Sequence, residues 1–167
     1  IMHIKIIKLK ILIQMLGFFL FWAIQSANAK VILQAKSKGI HYQVEKVAER
    51  LRIVWGMVFI AKDKIFFTER SGTLGILALS SGKVIYLRNK FKVRASGQGG
   101  LLDVAVLQNY MPDDWIYFTY SKPNKLKGLE KSSTALARAK LQGEELIELE
   151  DILVTNSLSN SDYHFGS

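Results

Sequence analysis

Cysteine is absent from this chain of 167 residues, which excludes a disulfide framework, thiolate zinc sites, iron–sulfur ligation and cysteine nucleophiles. Histidine is scarce: His3, His41 and His164 stand far apart and offer no metal cluster. With 2 prolines and 12 glycines, the chain is neither collagen-like nor a proline-rich disordered segment. Acid is under-represented, 14 Asp+Glu against 23 Lys+Arg, for a formal net charge of +9. The basic residues, among them Lys36, Arg52, Lys62, Lys90, Arg94 and Lys125, are spread along the sequence. No single helix collects them, so solvated loops and strand faces are expected rather than a nucleic-acid partner. There is no Ser-His-Asp set with a nucleophile elbow, and hydrolase chemistry has no support.

What the chain does have, first, is a basic and apolar beginning. Lys5, Lys8 and Lys10 precede an apolar run from Ile11 to Ile24, broken only by Gln14 and Gly17. Ala27-Asn28-Ala29 then supplies a small-x-small cleavage site. Residues 1–29 read as an export signal and residues 30–167 as the exported domain. An uncleaved anchor is the alternative, but the apolar run is short against the ~20 residues that span a bilayer. The expectation is a periplasmic or secreted protein with no stable membrane insertion after cleavage, a compartment that suits the absence of thiols.

From Val44 onward, short β-prone segments alternate with turn signals. Val44 to Leu51 fits a strand or one helical turn. Trp55–Ile60, Lys64–Glu69, Thr73–Leu79 and Lys83–Leu87 read as four antiparallel strands, separated by polar or glycine-containing turns. Such a unit is one blade of a propeller or one half of a sandwich. A second set follows: Leu101–Leu107, Trp115–Tyr120, Thr134–Leu141 and Leu146–Val154, with the polar stretch Ser121–Ser133 expected as an exposed loop. Ala135–Lys140 has helical propensity, yet the strand rhythm places a third strand there. Trp55 and Leu101 are separated by about one blade, ~40–45 residues. Two blades do not close a ring of ~4–8, and outer sheet faces are expected to stay bare. The chain opens on Ile and ends in Tyr163–Ser167, the start of another apolar element. It is expected to be cut mid-fold.

The most unusual local sequence is Arg94-Ala95-Ser96-Gly97-Gln98-Gly99-Gly100-Leu101-Leu102-Asp103. Leu102 occupies the place of a third fingerprint glycine and no Gly-Lys-Ser/Thr ending follows, so neither nucleotide motif applies. On its own the segment is a tight turn between strands. Its central Gln98, donor and acceptor at once, suits a ligand carbonyl or hydroxyl. His164 is a candidate general base, since a neutral imidazole accepts a proton near pH 7. A lone His is more often a surface residue. Asp103, Asp113, Asp114 and Asp162 lack calcium-loop spacing and are expected as turn residues or caps.

At these residues the sequence resembles the glucose/sorbosone dehydrogenase family, the soluble pyrroloquinoline quinone (PQQ)-dependent aldose sugar dehydrogenases. The resemblance is carried by Trp55-Gly56-Met57, Thr68-Glu69-Arg70-Ser71-Gly72, Gly97-Gln98-Gly99-Gly100-Leu101-Leu102-Asp103-Val104-Ala105, Ile116–Tyr120, Thr134–Arg138 and His164-Phe165-Gly166. It implies an all-β, six-bladed β-propeller, of which this chain holds about the first two blades and the start of a third. It also implies oxidation of an aldose at C1 to a lactone with PQQ as hydride acceptor. Gln98 matches the family's cofactor and substrate pocket, and His164 its catalytic base. The Arg and Lys that hold the quinone's carboxylates, and the calcium ligands, are expected beyond Ser167, so no residue here is assigned to metal. An aldose substrate and an electron acceptor of unspecified kind are the implied partners.

Three departures from the family pattern stand out. Val54 replaces a Pro before Trp-Gly-Met, Ala61–Lys64 replaces a Pro-Asp-Gly turn, and Tyr163 precedes His164 where relatives carry His or Asp. They leave open a rival reading from another class, a propeller that serves as a binding or scaffold module, or an inactive truncated product.

Overall fold

A computed structural model describes residues 30–126 and 129–160. The expected export signal and the His164 segment lie outside the described residues. Among these residues every regular element is a strand.

The chain enters through a hairpin that the sequence reading did not anticipate. β1 (Lys30–Ser37) and β2 (Ile40–Lys46) pair only with each other in a two-stranded antiparallel sheet. Lys38 and Gly39 join them with φ of 47° and 84°. Positive φ at both central residues is the type I′ pattern, whose twist matches that of paired strands. Val44 therefore belongs to β2, which ends at Lys46 rather than running on to Leu51. Beyond it Lys46 pairs with Glu49 at 2.7 Å, and Arg50 turns the chain at a φ of 61°.

Two four-stranded antiparallel sheets follow. The first holds β3 (Val54–Ala61), β4 (Lys64–Glu69), β5 (Leu74–Ala78) and β6 (Val84–Tyr86), in that spatial order. The second holds β7 (Leu101–Val106), β8 (Ile116–Leu126), β9 (Leu129–Gln142) and β10 (Glu145–Val154), again in chain order. Each sheet is a meander of the kind expected for a propeller blade. The expectation of an exposed loop at Ser121–Ser133 is corrected. β8 and β9 extend through that stretch, with Ser121 opposite Thr134 and Pro123 opposite Ser132. Ser121, Ser132 and Ser133 are buried. β7 pairs with β8 only as far as Tyr120, so Pro123 lies where β8 has one neighbour, a position that tolerates a missing N–H.

The sheets meet through side chains of period two. On β9, Ala135, Ala137 and Ala139 are buried to within 1% while Leu136, Arg138 and Lys140 keep partial exposure. That alternation, not intrinsic propensity, decides the conformation of the alanine-rich segment. Phe66 of the first sheet meets Phe118 of the second with ring centroids 5.9 Å apart. Phe91, in the connection between sheets, packs edge-on against Phe118 and Tyr120 at 5.1 and 5.2 Å. Phe66, Phe118 and Tyr120 share one buried cluster with Leu74, Leu101, Val104 and Leu146, and half-buried Phe91 packs against it.

The inner strands touch directly. Register slips between Val54 and Met57 in β3, and between Leu101 and Val104 in β7, set a bulge on each side of the contact. A Cβ on Gly56 would sit 2.8–2.9 Å from Asp103 and the Val104 nitrogen, so only glycine fits. Buried Thr68 completes the junction: its Oγ1 accepts from the Gly56 N–H at 3.0 Å and donates to the Leu102 carbonyl. The opposite face of β3 is bare, with Trp55, Met57 and Phe59 at 38%, 63% and 59% exposure.

Two predictions follow from this packing. Thr68→Val keeps the shape but leaves the Gly56 N–H and the Leu102 carbonyl short of a partner, at a cost of ~1–3 kcal/mol. Denaturant unfolding of the complete protein should show that loss, and Thr68→Ser should recover most of it. The second concerns Tyr120, whose hydroxyl donates to Asp151 Oδ1 at 2.7 Å. Burial foremost, then this bond and the Asp151 charge, push its phenol well above the ordinary value. The unfolded chain ionises its tyrosines near pH ~10 while folded Tyr120 stays protonated, so its contribution is complete below that pH and declines above it. Melting temperature measured against pH should fall above pH ~10, and less steeply in Tyr120→Phe.

Candidate functional site

The segment between the two sheets, residues 87–100, carries the candidate pocket loop. It is fastened at the outer rim first: Arg88 N–H donates to the Glu144 carbonyl at 2.9 Å, and Leu146 N–H returns a bond to the Arg88 carbonyl at 2.8 Å. Asn89 then reaches Gly72 O through its side-chain amide at 3.3 Å. Arg94 N–H donates to Ser121 O at 2.9 Å. By Ser96 the chain has been laid across the seam.

Ser96-Gly97-Gln98-Gly99 closes a four-residue turn, with Gly99 N–H on Ser96 O at 2.8 Å. Gly97, the first central residue, has a φ of 54°, and Gln98 is not among the residues of positive φ. Glycine at the first centre with an ordinary second residue is the type II′ pattern. Gln98 stands exposed at the tip, whereas Gly99 and Gly100 are buried. Gly100, at a φ of 152°, passes so close to Arg70 that a Cβ would collide with the Arg70 carbonyl.

Both sheets hold this turn. From the second, Ser121 Oγ accepts from Gly100 N–H at 3.1 Å and Ser121 N–H donates to Gly100 O at 2.7 Å. From the first, Arg70 acts twice. Its carbonyl accepts from Leu101 N–H at 3.0 Å, and its guanidinium Nη1 donates to Gly97 O. Arg70 is itself set by the β4–β5 turn: its N–H donates to Ile53 O at 2.9 Å, and Gly72 N–H closes on Glu69 O at 2.9 Å. The neighbouring Glu69 carboxylate, 1% exposed, accepts from Arg52 N–H at 2.9 Å and from the Tyr86 hydroxyl at 3.5 Å.

The structure thus places Gln98 at an accessible tip on a rigid base. His164 lies outside the described residues. Asp103 is not a turn residue or cap as expected: it lies within β7, its N–H donating to Thr119 Oγ1 at 3.1 Å. Asp114 does serve a turn, accepting from Met111 N–H at 2.8 Å. Among the described residues no three His, Asp or Glu stand together in a way that could hold a metal ion. Sequence reasoning had singled out Thr68–Gly72 as a motif without giving Arg70 a task, and Ser121 was hidden in a stretch read as loop. The signal for Arg70 was its place in a Ser-Gly turn; the one for Ser121 was its position directly after the aromatic and β-branched Trp115–Tyr120 segment.

Comparison with known proteins fits this arrangement. A curated relative, an uncharacterized protein of Synechocystis sp., is 29% identical over 151 residues, covering 86% of this chain and 35% of the relative. The crystal structure of a glucose dehydrogenase is similar at a TM-score of 0.62 and 25% identity, over 70% of this chain and 34% of that one. The PQQ-bound form of an aldose sugar dehydrogenase from Streptomyces coelicolor is similar in fold at a TM-score of 0.57 and 19% identity, over 77% of this chain and 34% of that one. The chain spans about a third of the length of these relatives. A family model described as Glucose / Sorbosone dehydrogenase matches residues 51–167. Since that match runs through both four-stranded sheets and the Gln98 turn that joins them, the chain belongs to the glucose/sorbosone dehydrogenase family.

Proposed function

We propose that the complete protein oxidises aldose sugars at C1 to lactones, with PQQ as the two-electron acceptor. The observation that carries this reading is the Gln98 turn, accessible at its tip and anchored to both sheets within a segment matched by the family. The donor set suits the group. The Gln98 amide can both donate to and accept from a flat, carbonyl-bearing molecule, and Gly97 beside it carries no side chain. A structural relative is known in a PQQ-bound form. The calcium ligands, like the basic residues for the quinone's carboxylates, are assigned through the family resemblance to the part of the ring beyond Ser167.

When bound, PQQ supplies the acceptor for the hydrogen and electron pair that leave C1. This chain's residues handle the proton and the pose. The His164 imidazole takes the proton of the anomeric hydroxyl, so that the C1–O bond gains its second bond as the C1–H bond breaks. Gln98 orients the reacting oxygen by hydrogen bonding. An external electron acceptor completes turnover. The basic, apolar segment of residues 1–29 supports action outside the cytoplasm, in the periplasm or medium.

The test is dye-linked oxidation of aldoses by the complete protein reconstituted with PQQ and calcium. Sugar-dependent dye reduction is expected, and His164→Ala should lower kcat by ~10²–10⁴ while quinone uptake, followed by absorbance, persists. Quinone-free protein that folds normally yet never takes up PQQ would place it with the non-enzymatic propellers instead.

A further inference from the structure

We propose that Arg70 is a positioning residue for the pocket, acting by fixing the peptide plane that precedes Gln98. The inference rests on the reading of Gln98 given above and adds the group that controls it. Gly97 and Gln98 are the two central residues of the turn, so the Gly97–Gln98 peptide is the one free to flip in a turn of this kind. Its carbonyl is the group to which Arg70 Nη1 donates. With that oxygen held on the Arg70 side, the Gln98 N–H points the opposite way. The flipped plane would convert the turn from the II′ to the I′ pattern and require positive φ at Gln98, a conformation disfavoured for a residue with a Cβ. Arg70 and the chirality of Gln98 thus select the same plane.

The remaining bonds make the clamp stiff. The Arg70 carbonyl takes Leu101 N–H at 3.0 Å, so one residue grips the turn on both sides of Gln98, at Gly97 and at Leu101. Its own backbone N–H is tied to Ile53 O at 2.9 Å. Gly72, at the tip of the same β4–β5 turn, is pressed against Val93, whose Cγ2 lies 3.1 Å from where a Cβ would be. The guanidinium therefore reaches Gly97 from a base that cannot drift. The first sheet controls the tip of a loop whose base is held by Ser121 of the second. Arg70 touches no reacting atom on this account and works only through Gln98.

Two measurements on the complete protein test this. Hydrogen exchange of the cofactor-free protein over residues 96–101 should accelerate roughly tenfold or more in Arg70→Met, as expected for losing a charge-assisted bond, with Arg70→Lys intermediate and Gln98→Ala near wild type. Steady-state sugar oxidation then forms a double-mutant cycle. Arg70→Met and Gln98→Ala should each raise the sugar KM more than they lower kcat, and the double variant should be no worse than Gln98→Ala alone. Unchanged exchange in Arg70→Met overturns the clamp. Exchange that rises while the two losses multiply independently overturns action through Gln98. Wild-type sugar kinetics in Gln98→Ala would overturn the pocket reading itself, and with it the catalytic part of this proposal, an outcome separable from the other two by the exchange data.

Discussion

Two β-sheets meet along Phe66, Phe118 and the alanines of β9, with the inner strands close enough that a Cβ at Gly56 has no room. That contact governs the rest of the molecule. Small residues on β9 bring the sheets together, and aromatic rings then fill the wedge that twisted sheets leave between them. Thr68 is placed where neither sheet can satisfy its own backbone, and its hydroxyl serves Gly56 on one side and Leu102 on the other. At the inner end of the seam the polar bookkeeping closes through this one side chain. At the outer end it closes through backbone bonds between Arg88 and the β9–β10 turn.

The candidate pocket loop inherits its geometry from that seam. A connection that only had to join two sheets could be long and mobile. This one is pinned by Asn89, Arg94 and Gly100 in turn, with Phe91 packed against the core between them. What emerges at Gln98 is a short turn whose every flank is fixed to one sheet or the other. A polar group that must orient a ligand gains from such support, because little freedom remains to be lost on binding. The same logic explains why an arginine beside one sheet and a serine from the other converge on Gly97, Gly100 and Leu101.

Much of this was legible in the residues, for identifiable reasons. Lys64–Glu69 and Trp115–Tyr120 are dense in β-branched and aromatic side chains, so β4 spans the expected residues and β8 starts within one residue of the expected place, though it runs on to Leu126. Ala135–Lys140 was legible only through the rhythm of its neighbours, since its helical propensity is overridden by burial of one face. Ser121–Ser133 misled because polarity is read as exposure. There the serines are buried by pairing and packing that no local pattern announces. The β1–β2 hairpin was missed because Lys38-Gly39 is a less usual I′ turn than Asn-Gly, and its strands bury almost nothing. At the site, Gln98 stood out by the glycines around it. The part played by Arg70 depends on a contact across 27 positions, which spacing alone does not reveal.

The bond from Thr68 to Leu102 spans only 34 positions, and within each sheet every strand pairs with its predecessor in the chain. Such a layout has a kinetic meaning. Pairing each strand with its predecessor keeps every loop that must be closed short, which lowers the entropy cost of each step. The first sheet can zip hairpin by hairpin, and the second can dock on it as soon as Leu102 is available. The seam can then be laid down in order of synthesis, the first sheet offering a finished face for the second to meet.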